Sequence, residues 1–155
     1  MMERLGRVAA LAGVVLALAS CGGSSSGGGG GVGGGAPGFY ITISGMAFSP
    51  AELHVPAGGT VTVVNQDAMQ HSVTSEAASG DFTPGGVGGV QFDTGAFTGT
   101  RTFMIPANAT NGTVIPYYCT VHKGLMATPN ANIMVDDSAQ PGPAPGGGGG
   151  GGGGY

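Results

Sequence analysis

The chain has 155 residues, 35 of them glycine and none tryptophan, and carries a formal net charge of −4. Four Lys and Arg in all exclude a basic nucleic-acid-binding surface. The glycine excess lacks the three-residue period of collagen and is segregated, with ten between Cys21 and Ala36 and ten between Pro141 and Tyr155.

Residues 1–20 have the grammar of a signal peptide. Arg4 and Arg7 precede an apolar stretch, Val8 to Ala19, that is too short to cross a bilayer as a helix. The string Leu18-Ala19-Ser20-Cys21 resembles a bacterial lipobox, whose cysteine is lipidated and becomes the new first residue. Export to a periplasmic or cell-surface location is therefore expected, with the chain held on a membrane by lipid at Cys21. Removing residues 1–20 leaves seven acids and two bases, spread out with no charge run. Residues 21–38 read as a lipid-anchor cysteine followed by a flexible Gly/Ser tether. The 17 residues from Gly22 to Gly38 span roughly 23 Å root-mean-square.

Between the glycine-rich ends, residues 39–137 form one expected domain, written in the period of strands. Phe39–Ile43, Glu52–Val55 and Thr60–Val64 are short and β-branched, separated by Ser-Gly, Ser-Pro and Pro-Ala-Gly-Gly breakers. Ser72–Ser75, Val90–Asp93, Thr100–Ile105, Thr113–Cys119 and Asn132–Val135 continue the pattern, and no window carries a capped helical stripe. Short strands at this density predict an all-β Greek-key sandwich, with Glu76–Gly89 as an excursion over one end. Residues 138–155 read as a disordered Pro/Gly-rich tail without an assigned function.

The chemistry concentrates in Tyr117-Tyr118-Cys119-Thr120-Val121-His122-Lys123-Gly124-Leu125-Met126. A thiolate, an imidazole and a thioether on one loop suit an ion cycling between Cu(I) and Cu(II), because soft sulfur holds the reduced form and imidazole accepts both. Zinc more often takes several thiolates, or a histidine pair with a carboxylate. With Cys21 lipidated, Cys119 has no disulfide partner in the chain, and metal ligation accounts for an unpaired thiol in an oxidising compartment.

Two motifs together resemble the cupredoxins, the family of plastocyanin, amicyanin and azurin. One is Cys119-x-x-His122 followed by Met126. The other runs from Phe48-Ser-Pro50 through Leu53-His-Val55-Pro-Ala-Gly58-Gly-Thr60 to Asn65, and on to His71-Ser72-Val73. Phe92-Asp93-Thr94-Gly95 extends the match, which reaches from about Phe39 to Val135.

The resemblance implies one copper ion in a type 1 (blue) site. His71 and His122 would be imidazole ligands, Cys119 the thiolate and Met126 the weak axial thioether, while Ser72 would brace the cysteine loop. Three residues separate His122 from Met126, and Ala127–Ala131 lengthen the loop, so Met69 stands as a competing axial candidate. Met46, Met104 and Met134 read as core packing, and His54 as a solvated strand position. The implied function is single-electron transfer between transient redox partners that dock where His122 reaches an apolar surface, by a monomer that is not an enzyme. Copper storage or delivery is the alternative, and a metal-free adhesive sandwich a third possibility.

Overall fold

The computed structural model describes residues 35–146; the signal segment, Cys21, most of the tether and the last nine residues lie outside that range. Among the described residues no helix is long and apolar enough to cross a membrane. The described residues hold eight strands: β1 (Phe39–Ser44), β2 (Ala47–Ser49), β3 (Glu52–Val55), β4 (Thr60–Asn65), β5 (Thr74–Ser75), β6 (Gly99–Met104), β7 (Val114–Tyr118) and β8 (Asn132–Val135). They form two four-stranded sheets, ordered β2-β1-β4-β6 and β3-β8-β7-β5. This is the all-β sandwich expected from the strand pattern.

Alternation decides which face each strand buries. In β4, Val61, Val63 and Asn65 are buried while Thr60, Val64 and Thr62 face outward. Parallel pairing sets Phe39 beside Val61 and Ile43 beside Asn65, so Ile41 and Ile43 enter the core beside Val61 and Val63. The second sheet answers with Val55, Ile115, Tyr117, Ile133 and Val135. Phe92 stacks on Phe103 at 4.3 Å, and Phe48 meets Tyr117 edge-on at 5.0 Å, closing the core with aromatic rings. The turn from β3 to β4 requires its two glycines. Gly58 has φ of 77°, and a Cβ on Gly59 would sit 2.6 Å from Val55 Cγ1.

Three expectations from the sequence need correction. Val90–Asp93 is not a strand; it makes only isolated bridges, Val90 with Val87 and Asp93 with Thr74, because positive-φ glycines at 88, 89 and 95 break the extended chain on both sides. Ser72–Ser75 contracts to the two residues of β5, since Ser72 and Val73 bond to side chains and not to a neighbouring strand. The three methionines assigned to the core lie outside it. Met104 is 63% exposed on the edge strand β6, Met134 is half-buried on the outer face of β8, and Met46 occupies a tight turn.

The ordered chain also passes the boundaries read from composition. Gly38 and Gly142 exchange both backbone hydrogen bonds at 2.9 Å, and Tyr40 Oη donates to the Ala36 carbonyl at 2.6 Å. The start of the tail, 138–142, therefore folds back beside the entry to β1. The opposite end of β1, about 20 Å away at strand rise, carries the turn at Gly45-Met46 and the functional site.

Candidate metal centre

His71 arrives from the segment after β4, and its placement begins with Asn65. That buried side chain donates through Nδ2 to the carbonyls of Met69 (2.8 Å) and Phe97 (3.0 Å), and its Oδ1 accepts the Asp67 N–H (3.0 Å). His71 then exchanges two backbone hydrogen bonds with Phe97, at 3.1 and 2.8 Å, which fixes its Cα. Downstream, Val73 donates to Thr94 Oγ1 (2.9 Å), and Thr74 Oγ1 donates to Asp93 Oδ1 (2.8 Å). The Asp93-Thr94-Gly95 element thus works as a bracket for the histidine segment.

Cys119 leaves β7 fully buried, and it is a free thiol. The Ser72 N–H points at its sulfur at 3.3 Å. Ser72 Oγ accepts the Thr120 N–H and pairs with Thr120 Oγ1, both at 2.8 Å. His122 follows in a tight loop whose Leu125 N–H returns to the His122 carbonyl at 2.9 Å.

These placements bring three donors together. Cys119 Sγ lies 3.8 Å from His71 Nδ1 and 3.7 Å from His122 Nδ1, and the two nitrogens are 3.2 Å apart. His71, Cys119 and His122 form a cluster able to hold a metal ion. Three such donors around one ion, with bonds of about 2.0 Å to nitrogen and 2.3 Å to sulfur, would stand about 3.3–3.5 Å apart between nitrogens and about 3.5–3.7 Å from nitrogen to sulfur. The observed triangle fits that size. Two imidazole nitrogens at this separation, beside a thiol, call for a cation or a shared proton between them.

The outer nitrogen of His71 is equally defined. Nε2 donates to Asp67 Oδ2 at 3.0 Å, which leaves Nδ1 as the inward lone pair. Burial, and after it the neighbouring His122, lowers the His71 pKa, while Asp67 pulls the other way. Asp67 itself is lowered, first by the Met46 N–H and then by that of Gly45.

Met126 packs half-buried against the core and borders, with Cys119, a cavity of about 140 Å³ between the 76–89 excursion and the ligand loop. Met69, the competing candidate, has its side chain 50% exposed. His54 lies apart on β3, paired with Asp136 (2.8 Å) and Glu52 (3.1 Å). Sequence reasoning missed Asp67 and Thr120. Asp67 stands four residues before His71 outside any helix, so the spacing alone carried no signal of the pair.

The family of copper binding proteins of the plastocyanin/azurin type matches the chain over residues 39–135. The chain belongs to this family. As a cupredoxin it takes copper as its cofactor, and the family's general role is electron transfer. Among solved structures it resembles a proline-to-glycine mutant of amicyanin in the reduced Cu(I) form at pH 4, with 22% identity, 64% of this chain and 82% of that one covered, and a TM-score of 0.46. An oxidized methionine-to-leucine amicyanin mutant gives 24% identity over the same shares, with a TM-score of 0.45. A copper-containing nitrite reductase from Thermus scotoductus SA-01 gives 21% identity, 62% of this cupredoxin and 21% of that chain, and a TM-score of 0.44. Among curated proteins no relative matches.

Proposed function

We propose that this cupredoxin is a single-electron carrier with one type 1 copper ion held by His71, Cys119 and His122, with Met126 as the weak axial ligand. The observation that carries the reading is the donor triangle, two imidazole nitrogens and one thiol sulfur with edges of 3.2–3.8 Å. Bound copper supplies a one-electron Cu(I)/Cu(II) couple that this mixed donor set accommodates in both states. The protein's own residues do the rest. Asp67 and Ser72 hold two donors still, and the buried surroundings of Cys119 keep water off the sulfur.

His122 is the half-exposed member of the set, in a loop where Val121 and Leu125 are 46% and 72% exposed. Apolar side chains around an exposed ligand edge suit a small, transient docking face for a redox partner. The chain enters β1 at the far end from this face. In this reading the domain is exported and held on a membrane by lipid at Cys21. The reading is of a carrier, not an enzyme.

The test is to add Cu(II) to the purified protein and record visible and electron paramagnetic resonance spectra. An intense thiolate-to-copper band, abolished in Cys119→Ser, supports the carrier. A colourless protein holding only Cu(I) supports delivery instead, and no stoichiometric copper refutes both. Met126→Gln should shift the reduction potential while Met69→Gln leaves it in place; the reverse would transfer the axial role to Met69.

A further inference from the structure

The β1–β2 connection runs Ser44-Gly45-Met46-Ala47, and both central residues have positive φ, 59° at Gly45 and 63° at Met46. Glycine enters this region freely, but methionine is seldom found there. The conformation aims two successive backbone N–H groups at one anion. Gly45 donates to Asp67 Oδ1 at 2.6 Å and Met46 to Asp67 Oδ2 at 3.0 Å. That same Oδ2 accepts the His71 Nε2–H at 3.0 Å.

Met46 has a second connection. Its carbonyl accepts the Ala127 N–H at 2.7 Å, one residue beyond Met126. One turn residue therefore contacts the carboxylate behind His71 and the segment that carries Met126. Nothing in the strand pairing requires this, because β1 and β2 would be joined equally well by two glycines.

We propose that Asp67, seated in the Gly45-Met46 turn, is a positioning residue of the copper centre. It holds His71 as the Nε2–H tautomer with Nδ1 turned to the ion, and Met46 ties that clamp to the Met126 segment. The assignment rests on the ligand reading above and adds the outer partner that selects the tautomer. A carboxylate behind the imidazole makes it a more basic donor, which favours Cu(II) over Cu(I) and lowers the reduction potential.

The experiment compares the full chain with Asp67→Ala and the near-isosteric Asp67→Asn. Nitrogen NMR of the His71 ring in the copper-free protein reads the tautomer directly. The reduction potential of the copper-loaded protein reads the electronic effect. Wild type should show a single Nε2–H tautomer, and Asp67→Ala a mixture of both. Outer-partner loss commonly weakens metal binding by about tenfold or more. A tenfold loss confined to Cu(II) raises the potential by about 59 mV in a one-electron couple.

Asp67→Asn should move the potential in the same direction. A tautomer and a potential unchanged in Asp67→Ala would overturn the proposal. The two readings fail separately. A wild-type protein without thiolate-to-copper absorption refutes the ligand assignment, whereas the copper-free tautomer judges the clamp.

Discussion

Ser72→Ala isolates the bond that ties the histidine segment to the cysteine loop. Ser72 is fully buried, and its hydroxyl meets the Thr120 N–H and Thr120 Oγ1 at 2.8 Å, with Thr74 Oγ1 at 3.3 Å. Alanine keeps the Ser72 N–H that faces Cys119 Sγ, so the direct contact to the ligand survives. Thr74 keeps Asp93 as its acceptor. The unpaired group is the Thr120 N–H, next in sequence to the thiolate. Loss of one ordinary hydrogen bond costs about 1 kcal/mol, and a buried donor without a partner about 1–3 kcal/mol. Thr120 is half-buried, which places the expected cost in the middle of that range, about 2 kcal/mol. For a domain of roughly 100 residues that is a fall in Tm of about 8–16 °C. Urea and thermal unfolding of copper-free protein measure it, and the visible spectrum of the copper-loaded form shows whether the thiolate has moved. A loss below about 0.5 kcal/mol with an unchanged spectrum would refute the bracing role.

Two further substitutions probe other parts of the molecule. Gly124 has φ of 69°, and a Cβ there would approach Phe82 Cζ to 3.3 Å. Gly124→Ala should cost about 1–2 kcal/mol by urea unfolding, and an unchanged midpoint would show the loop free to refold. The third concerns pH. Hydrogen bonds donated to the Asp136 carboxylate and then to that of Glu52 raise His54 above 6.5. Its contribution is full below that value and lost as pH rises through the folded pKa. Asp136, held down to about 2 from 3.8 by the Ser138 hydroxyl and then His54, contributes above 3.8 and is lost as pH falls towards 2. In copper-free protein the stability advantage over His54→Gln should therefore be greatest from about pH 4 to 6.5 and fade above it. An advantage that grows at alkaline pH would contradict the pairing.

How far each feature was legible depends on the distance over which its cause acts. The β4 string Thr60-Val61-Thr62-Val63 announces its strand and its buried face together, because side-chain direction alternates locally. Met104 reads equally apolar, yet alternation with Phe103 on an edge strand sends it to solvent. Only the sheet order reveals that β6 has a neighbour on one side alone. Phe92 is buried as its apolar character suggests, but it bonds to Ser75 through a bridge too short to count as a strand. Cys119, His122 and Met126 announce themselves by spacing. His71, 48 residues earlier, joins them only through the resemblance, since no periodicity links it to Cys119. Asp67 had neither signal, because its role depends on a turn twenty residues upstream folding against it.

The two buried donors draw their restraint from different parts of the sandwich. Asp67 and the β1–β2 turn fix His71, whereas Ser72 meets the Cys119 sulfur through its backbone and the cysteine loop through its hydroxyl. The loop of His122 closes on its own carbonyl and rests against Phe82 of the excursion through the bare face of Gly124. None of these restraints uses the ion. A copper ion entering such a site would find donor positions set by the ends of two sheets, so a change of oxidation state would have little freedom to move them. That is the condition for fast electron exchange, and it explains why a domain with so few charges places its buried hydrogen bonds around one end of the sandwich.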